Sequence, residues 1–189
     1  MLERLIQLDK NLLVFLNGLG SESYDGLWLF ITKQLYLTPF FLVILYLVYK
    51  KLGSWKNFLL VIASIALLIT VTDQFTNLIK ETFQRLRPCN DPEINSIIRI
   101  VKSSSSFSFF SGHAANSMAS TMFVFMILKR YYKYAFLLFL FPLIFAYSRI
   151  YLGLHFPGDI LTGYAVGATL GCLFYNLYRR VLKNYFPQL

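Results

Sequence analysis

Long apolar stretches limit what this chain of 189 residues can fold into more than any other feature. A helix that spans a bilayer needs roughly 20 mainly apolar residues. Four stretches meet this requirement, at about 55–80, 113–131, 134–151 and 158–178. A fifth, at about 35–50, has a shorter apolar core and needs its flanks to cross the bilayer. The sequence therefore predicts an all-α, polytopic membrane helix bundle with five transmembrane helices.

The N-terminal region differs from these stretches. Residues 2–18 alternate apolar and charged positions, a pattern typical of a helix that lies in the membrane interface. Because Asp9 and Lys10 interrupt the apolar residues, we do not expect a cleavable signal peptide. We predict an interfacial N-terminal helix, with six spans as the alternative if 2–18 or 24–33 enters the bilayer. No linker is visible, so a single membrane-embedded domain over 1–189 is expected.

The composition agrees with a membrane protein and argues against a soluble one. Charged residues make up 14% of the chain and hydrophobic residues 57%. Soluble domains usually carry about 25% charged residues. The net charge of +9 suggests a nucleic-acid partner, but proteins of that kind are rich in Lys and Arg and poor in large apolar residues. We therefore expect membrane lipids, and no nucleic acid, as partners.

The excess positive charge lies in three short connections at one predicted membrane face. Basic residues without any acidic neighbour occur at Lys50, Lys51, Lys56, Lys129, Arg130, Lys133, Arg179, Arg180 and Lys183. Short loops rich in Lys and Arg stay on the cytoplasmic side of a membrane. The connections at 18–35, 81–112 and 151–158 are therefore expected on the opposite face. In 81–112, the run from Ser103 to Ser106 is by itself typical of flexible filler.

Three polar clusters lie where predicted spans end or begin on that opposite face. Taken singly, each has an ordinary explanation as a lipid anchor, a helix cap or a turn. Ionisable groups near membrane spans nevertheless indicate function, and topology brings all three clusters to one face. The clusters are Lys80 with Arg87-Pro88, Ser111-Gly112-His113, and Ser148-Arg149 with His155 and Asp159.

The residue types in these clusters indicate phosphate chemistry. Lys80, Arg87 and Arg149 supply cations, and the helix starts near Gly112 and Gly158 supply backbone N–H groups, a combination that binds phosphate. A histidine with a carboxylate partner can act as a nucleophile, and a second histidine can act as acid and then base. No spacing typical of metal ligands occurs in the sequence. Phosphoryl transfer through a phosphohistidine, without metal or cofactor, is therefore expected.

The same residues carry a resemblance to a known family. The pattern Lys80-x6-Arg87-Pro88, Ser111-Gly112-His113 and Ser148-Arg149-x5-His155-x3-Asp159 resembles the three-part signature of the type 2 phosphatidic acid phosphatase family. Membrane lipid phosphatases, glucose-6-phosphatases and vanadium haloperoxidases belong to that family. The resemblance covers about 55–180. Phe110 stands where the family usually has proline, a change that should affect the loop before the third span more than the chemistry.

The resemblance implies a role for each matching residue. His155 would be the nucleophile, and Asp159 would hold its other ring nitrogen. His113 would protonate the leaving oxygen and then activate water. The phosphoryl oxygens would be bound by the remaining signature residues, which are Lys80, Arg87, Ser111, the Gly112 amide and Arg149. The family's fold is all-helical and its catalysis is metal-independent, so no metal site is implied.

A site at the membrane boundary predicts a substrate whose tail stays in lipid. The resemblance offers undecaprenyl pyrophosphate, phosphatidylglycerol phosphate, phosphatidic acid and lipid A as substrates. The small size makes the chain similar to bacterial undecaprenyl pyrophosphate phosphatases, which favours that substrate and a bacterial plasma (inner) membrane location with a periplasmic or outer active site. A lipid-phosphate transporter is the alternative from another class. The His155–Asp159 pair argues against it.

Two further patterns concern helix packing. Asp73, Asn77 and Lys80 fall on one stripe of the second span, where polar contacts between helices are a better explanation than orientation of Lys80. Gly163, Gly167 and Gly171 repeat every four residues and predict close packing within the bundle. A homodimer seam is the alternative for these glycines, although nothing else in the sequence indicates a homo-oligomer.

Overall fold

The computed structural model describes residues 1–185 and is all-helical over that range. The prediction of an all-α fold is confirmed. Short 3-10 turns at Glu22–Tyr24, Gln34–Leu37, Pro88–Asn90 and Ala135–Phe139 connect or extend the α-helices. The α-helices are α1 (Leu2–Gly18), α2 (Asp25–Ile31), α3 (Thr38–Leu52), α4 (Trp55–Phe83), α5 (Gly112–Leu128), α6 (Leu140–Tyr151) and α7 (Pro157–Tyr185).

Local sequence explains where the apolar helices begin and end. Pro39 lies in the first turn of α3, where a missing N–H leaves no helical bond unmade. Gly53 ends α3 with a φ of 66°, a left-handed conformation that favours glycine. Ser54 then caps α4 by accepting a hydrogen bond from the backbone N–H of Asn57 at 3.5 Å. A two-residue connection therefore separates two long antiparallel helices.

The stretch predicted at about 134–151 is not one α-helix. It forms the 3-10 turn Ala135–Phe139 followed by α6, which begins at Leu140. Pro142 lies within the first turn of α6, where the helix does not require its N–H. The proline thus fits the observed start and would interrupt a continuous α-helix that began at residue 134.

Helix α5 lies between α4, α6 and α7, and it packs most closely against α7. A Cβ built on Gly167 would lie 2.3 Å from the carbonyl oxygen of Ala115, and one on Gly171 would lie 2.6 Å from that of Ala119. Gly163 meets Ser111 in the same way, at 2.7 Å. Close packing within the bundle is therefore confirmed as the role of this glycine repeat. Because α5 occupies the glycine face, that face is not available as a homodimer seam.

Polar side chains also join α4 to α5. Asn116 of α5 donates a hydrogen bond to Asp73 of α4 at 2.6 Å. The prediction that Asp73 makes a polar contact between helices is thereby confirmed.

Several helical segments are suited to a membrane. Gln34–Leu52, Trp55–Asn90 and Pro157–Tyr185 are long and apolar enough to cross one. At most 28% of the apolar window of each is buried inside the bundle, as expected for helices in contact with lipid. The protein is a membrane protein with several apolar helices. Five spans remain a prediction, because α5 and α6 are shorter. The predicted interfacial helix corresponds to α1, which buries Leu13 against the bundle.

The topology separates two groups of charged residues. The C-terminal end of α5, the C-terminal end of α7 and the start of α4 lie together and carry basic residues; Arg130, Arg179 and Lys183 line one cavity of about 420 Å³ there. The opposite ends of the same helices bring Lys80 of α4, His113 of α5 and Asp159 of α7 toward one another. The candidate site lies at this second end.

Candidate active site

The site forms where α4 and α6 end and α5 and α7 begin, beneath the long connection 84–111. His155 lies in the short segment between α6 and α7 and is 1% exposed. Its Nδ1 lies 3.4 Å from Oδ2 of Asp159, and its Nε2 lies 3.0 Å from NH1 of Arg87. The Asp159 carboxylate favours a proton on Nδ1, the ring nitrogen that faces it, and this leaves the lone pair on Nε2. Burial lowers the pKa of His155 to about 3, although the hydrogen bond with Asp159 opposes that shift.

Asp159 is fully buried and its two oxygens have several donors. Arg85 donates to Oδ1 at 2.7 Å. The backbone N–H of Phe156 donates to Oδ2 at 3.0 Å, and the Ser108 hydroxyl donates to the same oxygen. The hydroxyl of Ser108 also lies 3.3 Å from Nδ1 of His155. A carboxylate held by this many donors is fixed in position and stays ionised.

Arg87 is buried and held by the loop that passes over it. Its Nε and NH2 donate to the carbonyl and hydroxyl oxygens of Ser106, both at 2.8 Å, and its NH1 donates to the carbonyl of Leu154 at 3.0 Å. Burial lowers the pKa of Arg87. Since Ser106 binds Arg87 and Ser104 accepts a hydrogen bond from Asn90 at 2.8 Å, the prediction that this serine run is flexible filler is wrong. Through Ser106, the run holds the guanidinium of Arg87 in place.

The other predicted cations approach from α6 and α4. Arg149 is buried and donates from NH1 to the Thr32 hydroxyl at 2.6 Å. Its Nε has no hydrogen-bond partner among residues 1–185. Lys80 and Arg87 are close enough to Arg149 to interact with it electrostatically. Three cations therefore share one small region, an arrangement that favours a multiply charged anion.

His113 is the second residue of α5 and shares this region. It is close enough to His155 and Arg149 to interact with both electrostatically. Its ring stacks on Phe145 of α6, with ring centres 5.3 Å apart. The stacking therefore places the imidazole beside an apolar side chain of α6.

The start of α5 has the geometry of a capped helix. Ser111 is the N-cap: its hydroxyl accepts a hydrogen bond from the N–H of Ala114 at 3.4 Å, and its own N–H donates to the carbonyl of Asp159 at 3.1 Å. The hydroxyl proton of Ser111 therefore remains available as a donor. No acceptor for the Gly112 amide is present in the described part of the chain.

The start of α7 does not match the prediction. We expected the amide near Gly158 to be free for an anion, but it donates to Oδ1 of Asp9 at 2.7 Å. A carboxylate from α1 thus occupies the N-terminus of α7, where a phosphate oxygen was expected. The Gly158 amide is therefore not free for a phosphate oxygen. The signature residues all lie in this region; they are Lys80, Arg87, Ser111, Gly112, His113, Arg149, His155 and Asp159.

Two apolar cavities lie beside α3 and extend to Phe145 of α6. The larger, of about 680 Å³, and the smaller, of about 280 Å³, share Ile44, Phe141 and Phe145 in their walls. Phe145 is also the residue that stacks on His113. A hydrocarbon chain that fills either cavity would therefore lie against Phe145, one side chain away from His113.

Comparison with known proteins identifies the family. Residues 57–183 match the family model described as the PAP2 superfamily. The chain belongs to the PAP2 superfamily. The resemblance to type 2 phosphatidic acid phosphatases is therefore confirmed.

Two relatives of this PAP2 protein are lipid A 4'-phosphatases. The protein from Bacteroides thetaiotaomicron is 36% identical over 180 residues, which are 93% of this chain and 79% of the relative. The protein from Porphyromonas gingivalis is 28% identical over 181 residues, which are 94% of this chain and 75% of the relative. Both alignments extend well beyond the PAP2 match at its N-terminal side.

A solved structure shares the fold. The transmembrane PAP2 type phosphatidylglycerolphosphate phosphatase from Bacillus subtilis superimposes with a TM-score of 0.72 at 20% sequence identity, over 97% of this chain and 89% of that one. The family match and the relatives make the chain a membrane lipid phosphatase, a hydrolase of phosphate esters.

Sequence reasoning missed four side chains around this PAP2 site. Arg85 and Ser108 bind Asp159, Asp9 binds Arg85, and Thr32 binds Arg149. The signature does not specify the residues between Lys80 and Arg87, so it does not indicate Arg85. Asp9 and Thr32 lie in the N-terminal region, far along the chain from their partners. No local pattern in the sequence points to these contacts.

Proposed function

We propose that this protein removes a phosphate from a lipid by forming a covalent phosphohistidine at His155. The observation that carries the proposal is the contact between Arg87 NH1 and His155 Nε2 at 3.0 Å, on the ring side away from Asp159. It puts the nucleophilic nitrogen beside a cation that binds phosphate. Because His155 is neutral at neutral pH, its lone pair is available for attack.

In the first step, Nε2 of His155 attacks phosphorus, the N–P bond forms and the bond from phosphorus to the lipid oxygen breaks. Protonated His113 transfers its proton to the leaving lipid oxygen. Asp159 stabilises the positive charge that develops on His155. Lys80, Arg87 and Arg149, with Ser111 and the Gly112 amide, bind the phosphoryl oxygens and favour the charge distribution of the transition state.

In the second step, neutral His113 removes a proton from water, and the water oxygen attacks phosphorus. The N–P bond breaks and inorganic phosphate leaves. His155 and His113 return to their starting protonation states, so the net reaction is hydrolysis of one phosphate ester. No step requires a metal ion, because cations of the protein neutralise the phosphate.

The substrate that we propose is lipid A, at its 4'-phosphate. The proposal is supported by two relatives named lipid A 4'-phosphatase, one of them 36% identical over most of this chain. It is also supported by the two apolar cavities, of about 680 and 280 Å³, which offer space for more than one acyl chain against Phe145, the side chain on which His113 stacks. The prediction of undecaprenyl pyrophosphate as substrate stays a prediction, since none of the relatives described above bears that name.

We further propose a bacterial plasma membrane location with the active site on the periplasmic side. The support is the basic end of the bundle, which the positive-inside rule puts in the cytoplasm. A cysteine introduced in the loop 129–133 should then resist a membrane-impermeant thiol reagent applied to intact cells. Labelling of that cysteine from outside would contradict the orientation.

A substrate panel tests the proposed function. Initial rates of phosphate release by purified protein are compared on lipid A, phosphatidylglycerol phosphate, phosphatidic acid and undecaprenyl pyrophosphate. We expect kcat/KM for lipid A to exceed the others by roughly 10-fold or more. A preference for undecaprenyl pyrophosphate would contradict lipid A as the substrate and would leave the proposed mechanism unchanged.

The mechanism is tested in the same assay. His155→Ala should lower turnover by on the order of 10³-fold or more, because the covalent route is lost. EDTA should leave the wild-type rate unchanged. Arg180→Gln, at the opposite end of the bundle, is the matched control and should behave as wild type. Wild-type turnover by His155→Ala, or inhibition by EDTA, would overturn the mechanism.

A further inference from the structure

Helix α1 reaches the candidate active site through the carboxylate of Asp9. Its Oδ1 accepts the Gly158 N–H, and its Oδ2 accepts a hydrogen bond from NH2 of Arg85, both at 2.7 Å. The side chain of Asp9 is 15% exposed. Since the PAP2 match begins at residue 57, a segment outside that match contributes to the surroundings of the site.

Arg85 connects Asp9 to the buried carboxylate beside His155. Its NH1 donates to Oδ1 of Asp159 at 2.7 Å, while NH2 is bound to Asp9. The guanidinium carbon lies 3.8 Å from the ring centre of Phe156, the residue after His155. A planar guanidinium bound by two carboxylates and stacked on an aromatic ring is restricted to one orientation.

We propose that Asp9 and Arg85 are positioning residues for phosphate transfer, acting through Asp159 on His155. The proposal rests on the proposed role of His155 as nucleophile. Arg85 holds Oδ1 of Asp159, so that Oδ2 faces Nδ1 of the histidine. Asp9 in turn holds Arg85 and fixes the first turn of α7 through Gly158. Through this one side chain, helix α1 contributes to the position of the nucleophile.

Loss of the Asp9 carboxylate would release one arm of the guanidinium. Asp159 could then shift with Arg85, and the imidazole would no longer be held in line with the bound phosphate. A misplacement near 1 Å at a reacting group lowers the rate by on the order of 10²-fold. Substrate binding depends on other side chains, so the effect should fall on kcat.

A different role for Asp9 would be to anchor α1 without any effect on the reaction. The chain offers a matched control for that role in Lys10, the next residue. Lys10 binds Asp91 at 2.8 Å and Glu93 at 2.7 Å, so it also ties α1 to the connection 84–111. It has no bond to Asp159 or Arg85 among the described residues.

The central experiment compares Asp9→Asn with Lys10→Met in full-length protein. We expect Asp9→Asn to lower kcat roughly 10- to 100-fold with KM little changed. Lys10→Met should keep the wild-type kcat even if its Tm falls by as much as that of Asp9→Asn. Wild-type kcat in Asp9→Asn, or an equal loss of kcat in both variants, would overturn the proposal. The phosphate donor in this assay is the substrate with the highest kcat/KM in the panel.

Two more variants test whether Asp9 and Arg85 act as one unit. Asp9→Glu should restore part of the kcat that Asp9→Asn loses, since it returns the charge. In Arg85→Gln, the further change Asp9→Asn should lower kcat little, because the link is already broken. If the loss of kcat in the double variant equals the product of the losses in the two single variants, the two residues have independent roles. That result would contradict the proposal.

Gly158→Ala keeps the proposal testable if Asp9→Asn does not fold. A Cβ at Gly158 would lie 2.9 Å from Oδ2 of Asp9 and would displace that carboxylate. We expect the same selective loss of kcat, and a wild-type kcat would count against the proposal. His155→Ala separates the two levels: if it is inactive while Asp9→Asn is fully active, only the positioning role fails. If His155→Ala is active, the proposed function itself fails.

Discussion

The guanidinium of Arg87 and the imidazole of His155 meet at 3.0 Å, from NH1 to Nε2, on the side of the ring opposite to Asp159. In the proposed reaction a phosphate must enter at this contact, because phosphorus has to reach Nε2. Arg87 NH1 then leaves the imidazole and donates a hydrogen bond to a phosphoryl oxygen instead. Its bonds to Ser106 and Leu154 keep the guanidinium in place during this exchange.

Arg87→Lys should lower kcat/KM by roughly 10- to 100-fold. A lysine ammonium cannot replace a fork that binds Ser106, Leu154 and the phosphate together, and each lost bond to a charged group contributes about 1.5–3 kcal/mol. Steady-state kinetics of purified protein measures the effect. Arg180→Lys in the exposed basic end is the control and should be neutral. Equal kinetics for Arg87→Lys and wild type would show that charge alone suffices.

Ser108→Ala should lower kcat by about 2- to 10-fold, because one hydrogen bond to the carboxylate beside the nucleophile is lost. KM should change little, since Ser108 is buried behind the imidazole. Ser105→Ala, in the exposed part of the same connection, should have no effect. The role assigned to Ser108 fails if both variants have the wild-type kcat.

The burial of His155 predicts how stability depends on pH. Its pKa is about 3 in the folded protein and about 6.5 in an unfolded chain. Between these values the unfolded state binds the extra proton, so stability is lost as pH falls below about 6.5. The slope approaches about 1.4 kcal/mol per pH unit.

His155→Asn lacks this titration and serves as the reference. Measured in detergent, the Tm of wild type should therefore fall relative to that of His155→Asn between pH 7 and pH 5. A difference that stays constant over this range would mean that His155 is not buried as a neutral group.

Gly167→Ala should destabilise the bundle by roughly 1–3 kcal/mol, through overpacking. Its new Cβ would meet backbone at Ala115, which no change of side-chain conformation relieves. Gly26→Ala, in α2, meets nothing within 4 Å and is the matched control. Thermal unfolding should show a lower Tm for Gly167→Ala only. An unchanged Tm would mean that α5 and α7 can separate without loss.

The sequence predicts the apolar helices well because their length is set by the membrane. The stretch predicted at 55–80 is α4, which extends to Phe83, and the stretch predicted at 158–178 lies within α7. The signature residues could be assigned to one site because the five predicted spans put their helix ends on one face. Physical periodicity and topology were sufficient for this part.

The remaining contacts depend on tertiary structure. Asp9 and Gly158 are 149 positions apart, and no periodic pattern connects them. The serine run was wrongly predicted as filler because serine favours loops of every kind, and only the approach of Arg87 makes Ser106 a binding partner. The Gly158 amide was predicted to be free because a helix start alone does not reveal which carboxylate reaches it.

The most direct test of the account is to find the phosphate on the protein. The protein is mixed with 32P-labelled p-nitrophenyl phosphate, stopped within milliseconds at alkaline pH and analysed by peptide mass spectrometry. Because this leaving group needs no acid, His113→Ala should form the intermediate and hydrolyse it slowly. We predict label on His155, more of it in His113→Ala, and none in His155→Asn. Label on another residue, or full turnover without any labelled protein, would contradict the covalent mechanism.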